Sequence, residues 1–360
     1  MLKKALLPIA VVALGVAAYG YNAAREIASI AGGYVSQTVC TNVLMIGRDL
    51  AEVELQDLSY DQNRVSSSTV NGNRVETLIE LGPLSFTHTS VYRPGLGCSH
   101  IAGWHVDEVE AIGPEQPFIK SGRAESWPAV TGVTGVDKQQ LDAAVSGAFT
   151  ETSDNVYQKK NTRAVLVHYK GELIAERYAQ GFDGDTPLRG MSMTKSASAT
   201  LVGILVGQGK LDIHKPAPVR GWSQLDDARS RVTTDHLLKM VAGFDYVEAT
   251  ESDPRNLLSM MLYAVPDAAG LAAQTPLRGG PGNSWEYQTV HSVLLHEVIR
   301  NTIDDDQAYF RFPQEALFDK LGMHNSFFQA DATGTFIGGA SMYASGRDWM
   351  KLGLLYLNDG

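Results

Sequence analysis

Apolar and polar positions repeat with different periods along the chain, and the changes of period divide it. Residues 5–24 form an uncharged run around Leu6-Leu7-Pro8-Ile9-Ala10-Val11-Val12-Ala13-Leu14, preceded by Lys3-Lys4. Residues 75–102 mix apolar and polar positions and break at Gly82-Pro83 and Arg93-Pro94-Gly95, which predicts short strands and turns. Residues 137–150 carry Leu141, Ala144, Val145 and Phe149 at helical spacing. Residues 164–169 and 173–178 read as two strands joined by a tight turn at Lys170-Gly171. From Ser192 to Gly209 the chain is apolar almost all round, which predicts a helix buried on every side and stopped by Gly209. Further helices are predicted over 233–242, 253–265, 284–301, 313–321 and 345–357, several behind N-cap residues.

Composition narrows the partners. The 360 residues are 44% hydrophobic and 19% charged, with no low-complexity tract, as in an ordinary folded protein. A net charge of −10 argues against nucleic acid or an anionic membrane surface as the main partner. Lysines followed by an apolar run read as an export signal, with Ala18 or Gly20 before a cleavage site. The run over 5–24 also has the length of a retained anchor with its lysines inside. Either way the remainder is exported, periplasmic or held in the inner membrane facing the periplasm. Cys40 and Cys98 are the only two cysteines, and in an exported chain they are expected to pair. The expected organisation is a signal or anchor over 1–24, a β-rich region over 25–125 and a catalytic domain over 126–360. His100, His105, Asp107 and Glu108 match no metal-ligand spacing and read as structural or solvated.

The candidate chemistry sits at the head of the apolar helix. Ser192 and Lys195 are one turn apart on one helix face. A serine hydroxyl attacks a carbonyl only when a base takes its proton. An amine held out of water favours its neutral, proton-accepting form. Unpaired N–H groups of a first helical turn can stabilise an oxyanion beside the serine. Tyr287, after Pro281-Gly282, is a candidate proton shuttle beside that amine. There is no Gly-x-Ser-x-Gly elbow. His291 and His296 read as core histidines, and His296-Glu297 lacks the second histidine of a zinc-protease motif.

Thr186-Pro187-Leu188-Arg189-Gly190-Met191-Ser192-Met193-Thr194-Lys195-Ser196, Leu237-Leu238-Lys239-Met240 before Gly243, Tyr287-Gln288-Thr289, and Gly338-Gly339-Ala340-Ser341-Met342-Tyr343 follow one another in order. Together they resemble the serine hydrolases related to class C β-lactamases, most closely the 6-aminohexanoate-dimer hydrolase and esterase branch. The resemblance implies an α+β, β-lactamase/transpeptidase-like fold: an antiparallel sheet with flanking helices and a helical insertion. It implies Ser192 as the acylated nucleophile, Lys195 as its proton acceptor, Tyr287 as the relay to the leaving group, and no metal or organic cofactor. Thr289 stands where β-lactamases usually carry an asparagine that binds substrate; its short hydroxyl favours a small ester or linear amide over a β-lactam. The family's third motif, a Lys/His-Thr/Ser-Gly strand, is not reached by residue 360, so C-terminal truncation is expected. Two other readings share these motifs: a penicillin-recognising carboxypeptidase or β-lactamase, and a non-catalytic anchored binding protein.

Overall fold

The computed structural model describes residues 2–116, 130, 132–155, 158–224, 226–248 and 254–360. One helix, α1 (Leu2–Cys40), runs through the boundary expected at residue 24 and ends at the first cysteine. The side chains behind the targeting expectation, up to residue 17, lie outside the described residues. Among the described residues no helix is long and apolar enough to cross a membrane. After a π turn over Thr41–Met45 come α2 (Leu50–Asp57) and α3 (Tyr60–Val65). Asp49 caps α2 by accepting from the N–H groups of Ala51 and Glu52.

An antiparallel meander follows: β1 (Ser66–Asn71), β2 (Arg74–Leu81), β3 (Leu84–Arg93) and β4 (Gly97–His100). Its turns fall at Gly72-Asn73, at Gly82-Pro83 and at Pro94-Gly95-Leu96, the last two where the pattern breaks. The region expected to be β-rich from residue 25 is therefore helical to residue 65 and a sheet only after it. Val35, Val39 and Cys40 of α1 pack with Val53, Leu58, Val75 and Cys98 in a small core, and Cys40 and Cys98 are joined as a disulfide. His100 is buried beside His88, and His105 precedes α4 (Val106–Glu110) as its N-cap.

The second half begins with α5 (Lys138–Phe149), capped by Asp137. The hairpin β5 (Ala164–Tyr169) and β6 (Glu172–Tyr178) turns through Lys170 and Gly171, both at positive φ, as a two-residue hairpin turn requires. Then β7 (Leu188–Arg189) leads through a 3₁₀ turn, Met191–Met193, into α6 (Thr194–Gly207). The helical stretch holds α7 (Thr234–Leu238), α8 (Leu257–Tyr263), α9 (Ala268–Ala273), α10 (Thr289–Ile303) and α11 (Asp306–Pro313). A π turn, Gln314–Phe318, leads to α12 (Asp319–Leu321). The chain then returns as β8 (Ser326–Phe328) and β9 (Met342–Ala344), which pair antiparallel in the order β7-β9-β8, and continues into α13 (Gly346–Leu357), capped by Ser345.

The main core lies between α6 and α10, where Leu201, Val202 and Leu205 join Val290, Val293, Leu294 and Val298. Two expectations need correction. First, α6 is not buried on every side: Ser196, Gly203 and Val206 are exposed, because the helices packed on α6 cover only its other faces. Second, α10 begins at Thr289 rather than 284. Gly282 N–H donates to Val241 O at 2.7 Å and Glu286 N–H to Met240 O at 3.1 Å, so the preceding segment is held extended against the loop after α7. Part of the helix expected over 253–265 lies outside the described residues, and the rest opens at the Asn256 cap.

Candidate active site

The nucleophile candidate sits on a turn clamped from behind. Gly190 N–H donates to Met342 O at 2.9 Å, and Met342 N–H donates to Thr194 Oγ1 at 3.1 Å. A Cβ on Gly190 would lie 2.1 Å from the Trp349 ring, so α13 presses on the turn from below. Met191, between Gly190 and Ser192, takes φ +44°, a left-handed conformation that costs energy for a non-glycine residue and is concentrated at functional turns. Ser192 itself is exposed.

Lys195 is only 9% exposed. Its Nζ lies 3.1 Å from Ser192 Oγ, 2.9 Å from Thr289 Oγ1 and 2.9 Å from Gly339 O. Gly339 O can only accept. Thr289 Oγ1 has one proton, and Glu248 Oε1 receives it at 2.6 Å, so Thr289 also accepts from the amine. Lys195 Nζ donates to all three oxygens, so its three N–H directions are fixed on Ser192, Thr289 and Gly339. Once the amine gives up a proton, two of these contacts can keep its remaining N–H groups while its lone pair faces Ser192 Oγ, the arrangement a proton acceptor needs.

Two glycines let β9's lead-in approach this close. A Cβ on Gly339 would sit 2.4 Å from Thr289 Cγ2, and one on Gly338 would sit 1.9 Å from His296 Cδ2. Ser198 Oγ, one turn below Lys195, donates to Gly338 O at 2.8 Å and lies 3.0 Å from His296 Nε2. His296 Nδ1 is 3.3 Å from Tyr309 OH, which accepts from Phe336 N–H at 2.9 Å. This arrangement fits a neutral imidazole carrying its proton on Nε2. Burial pushes His296 down to about 3, and His291, which accepts from Ala242 N–H, down to about 4. Both are core histidines; neither reaches Ser192.

The residues expected from sequence converge unevenly. Tyr287 is half-exposed, with its ring centroid 5.1 Å from Lys195 Nζ, so cation and phenol are neighbours. Thr289, expected to meet substrate, is 2% exposed and its hydroxyl is taken by Lys195 and Glu248; its position is that of a support for the amine. Glu248 was not singled out from the sequence. It also accepts from Thr289 N–H and from Tyr246 OH at 2.8 Å. Burial and this carboxylate lift the Tyr246 phenol well above its ordinary range. Nothing local marks Glu248: it lies 41 residues before Thr289, and only the fold joins them. Met191 and Met193, on either side of Ser192, are exposed apolar side chains, as are Val247, next to Glu248, and Trp285, two residues before Tyr287. Among the described residues no group of three or more His, Cys, Asp or Glu is placed to hold a metal ion.

Residues 154–359 match the family model described as Beta-lactamase. No curated protein sequence matches the chain. Among solved structures the chain is similar to a Bacillus anthracis protein assigned as a 6-aminohexanoate-dimer hydrolase (21% identity, TM-score 0.48, 55% of each chain covered). It is also similar to FmtA of Staphylococcus aureus (13% identity, TM-score 0.44, 61% of this chain and 65% of that one). A third is a penicillin binding protein of Bacillus halodurans (19% identity, TM-score 0.40, 54% of this chain and 70% of that one). The chain spans just over half the length of the first of these, at 55%.

Proposed function

The chain belongs to the beta-lactamase family, and from that premise we propose that it is an exported serine hydrolase cleaving small esters or linear amides through an acyl-enzyme on Ser192. The observation that carries this reading is the buried Lys195 amine 3.1 Å from Ser192 Oγ, held there by Thr289 Oγ1 and Gly339 O. Ser192 Oγ attacks the substrate carbonyl carbon while its proton passes to Lys195 Nζ. The tetrahedral oxyanion forms at the N-terminal end of α6, where the helix dipole favours negative charge. Collapse breaks the bond to the leaving group, which takes a proton from the Tyr287 phenol, and Lys195 reprotonates Tyr287. Water then attacks the Ser192 ester, releases the acid and restores the hydroxyl.

The exposed apolar side chains of Met191, Met193, Val247 and Trp285 favour a substrate with an apolar acyl or alkoxy group. The buried, fully committed Thr289 leaves no amide at that position to hold a β-lactam, which weighs against the penicillin-recognising reading. The Cys40–Cys98 disulfide supports export, since such bonds persist in oxidising compartments.

The test is covalent labelling of the full-length protein with a fluorophosphonate, alongside turnover of p-nitrophenyl acetate. Ser192→Ala is expected to lose both. Equal labelling and turnover in Ser192→Ala would overturn the assignment.

A further inference from the structure

Between α1, α2, the loop before β7 and β9 lies a cavity of about 200 Å³ that the hydrolase reading does not use. Three guanidiniums line it, those of Arg48, Arg163 and Arg189, with one carboxylate, Asp57. The lining therefore carries two positive charges in excess, in a chain whose net charge is −10.

The cations are built into place. The Arg48 side chain is 6% exposed and pairs with Asp57, Asn42 Oδ1 at 3.0 Å and Gln56 Oε1 at 2.8 Å. Arg48 Cζ and Arg163 Cζ lie 4.6 and 4.9 Å from the centroid of one ring, Phe182, which holds both guanidiniums beside the cavity. Arg163 donates to Gln56 O and reaches Asp57 Oδ1 at 3.5 Å. Arg189 donates to Ala340 O, Tyr263 OH and Ser341 Oγ, each at 3.3 Å, all of them neutral acceptors. The guanidinium of Arg48 keeps its buried Nε–H without a partner. A cluster of like charges mostly shielded from water, with a donor left over, is costly unless an anion completes it.

We propose that this cavity binds a small oxyanion, a carboxylate or a phosphate, held by Arg48, Arg163 and Arg189. Planar guanidiniums match both groups by paired N–H contacts. Phe182, Tyr343 and Leu188 add apolar wall, which suits an anion carrying a short apolar body.

Isothermal titration of the full chain with inorganic phosphate and, separately, with benzoate distinguishes a free ion from an organic carboxylate. Saturable one-to-one binding of either supports the site, and tighter binding of benzoate identifies the organic source. Arg163→Gln is expected to weaken binding about tenfold, as for loss of one charge-assisted contact. Arg163→Lys should recover part of it. Asp57→Asn, which removes the one carboxylate, should tighten binding, a sign opposite to that of general damage to the fold. Should Asp57→Asn fail to fold, the Arg163→Gln and Arg163→Lys pair decides. No saturable heat with either anion, an equal response to sodium chloride at matched ionic strength, or unchanged affinity in Arg163→Gln would overturn the proposal.

Discussion

Thr289 gives its one hydroxyl proton to Glu248 across 2.6 Å and so receives, rather than donates, its hydrogen bond with Lys195 at 2.9 Å. Glu248 touches no reacting atom in this arrangement; it sets the direction of a hydroxyl that in turn sets the direction of an amine. The two orientations of that hydroxyl are chemically distinct. Turned the other way, Thr289 would donate to the amine lone pair and draw it from Ser192.

Glu248→Gln tests this directly. A glutamine can present its NH₂ group to Thr289, which frees the hydroxyl to turn toward Lys195. The expected outcome is a fall of about tenfold in the acylation rate with p-nitrophenyl acetate, with KM nearly unchanged, since a misoriented base costs rate rather than substrate affinity. Thr289→Ser should retain most of the rate and Thr289→Val should lose it. If Glu248→Gln acylates at the wild-type rate, the carboxylate is only a structural partner of Thr289.

Tyr287 stands beside Lys195 without touching Ser192, a place suited to protonating a leaving group. Loss of its hydroxyl should therefore matter in proportion to the leaving group's need for a proton. Tyr287→Phe is expected to slow a p-nitrophenyl ester only a fewfold, because nitrophenolate departs unaided. It should slow an alkyl ester or an anilide by about a hundredfold or more. Equal effects on both substrates would place the phenol in packing or binding instead.

Much of this site was legible in the sequence, because the parts that act over one turn or one strand carry local signals. Ser192 and Lys195 share a helix face through their spacing, and the strands around Lys170-Gly171 announce themselves by alternation and a turn. What was illegible is what tertiary bonds decide. The segment before Thr289 has helical composition, yet Glu286 N–H is claimed by Met240 O, which keeps the segment out of a helix and brings Tyr287 beside Lys195. Glu248 carries no motif and acquires its part only when Thr289 is packed against it. The exposed face of α6 has no signal in the sequence for a related reason: uniform apolarity says what a helix could bury, not how many neighbours arrive to bury it.

Gly339 gives a steric test of the same geometry. An alanine there would place Cβ 2.4 Å from Thr289 Cγ2, nearer than real contacts come, so the backbone has to move. Because Gly339 O is one of the two acceptors orienting the Lys195 amine, the movement disturbs that amine along with packing. Gly339→Ala is expected to cost about 1–3 kcal/mol of stability, as overpacking does, and to lower kcat about tenfold or more at a temperature where the variant is fully folded. Normal turnover in the folded variant would show that the carbonyl does not fix the base.

The buried histidines make stability depend on acid in a calculable direction. Burial lowers His100 and His296 to about 3 and His291 to about 4, from an unfolded value of 6.5. Below that unfolded value the denatured chain binds protons at these positions and the native chain does not. Their contribution is thus complete above pH 6.5 and shrinks as the pH falls toward the native values. Asp331 opposes them: burial raises it from 3.8 to about 6, so between those values the native state holds a proton that the unfolded state lacks. Burial lowers His88 in the same direction and raises Asp348 as it does Asp331, so four histidines stand against two carboxyls and unfolding takes up protons: stability falls as the pH drops from about 6 toward 4. Urea titrations at successive pH values measure the slope directly. His100→Gln should reduce it by about one proton, and a stability that stays level from pH 6 to pH 4 would mean that the histidines are not held neutral in the native core.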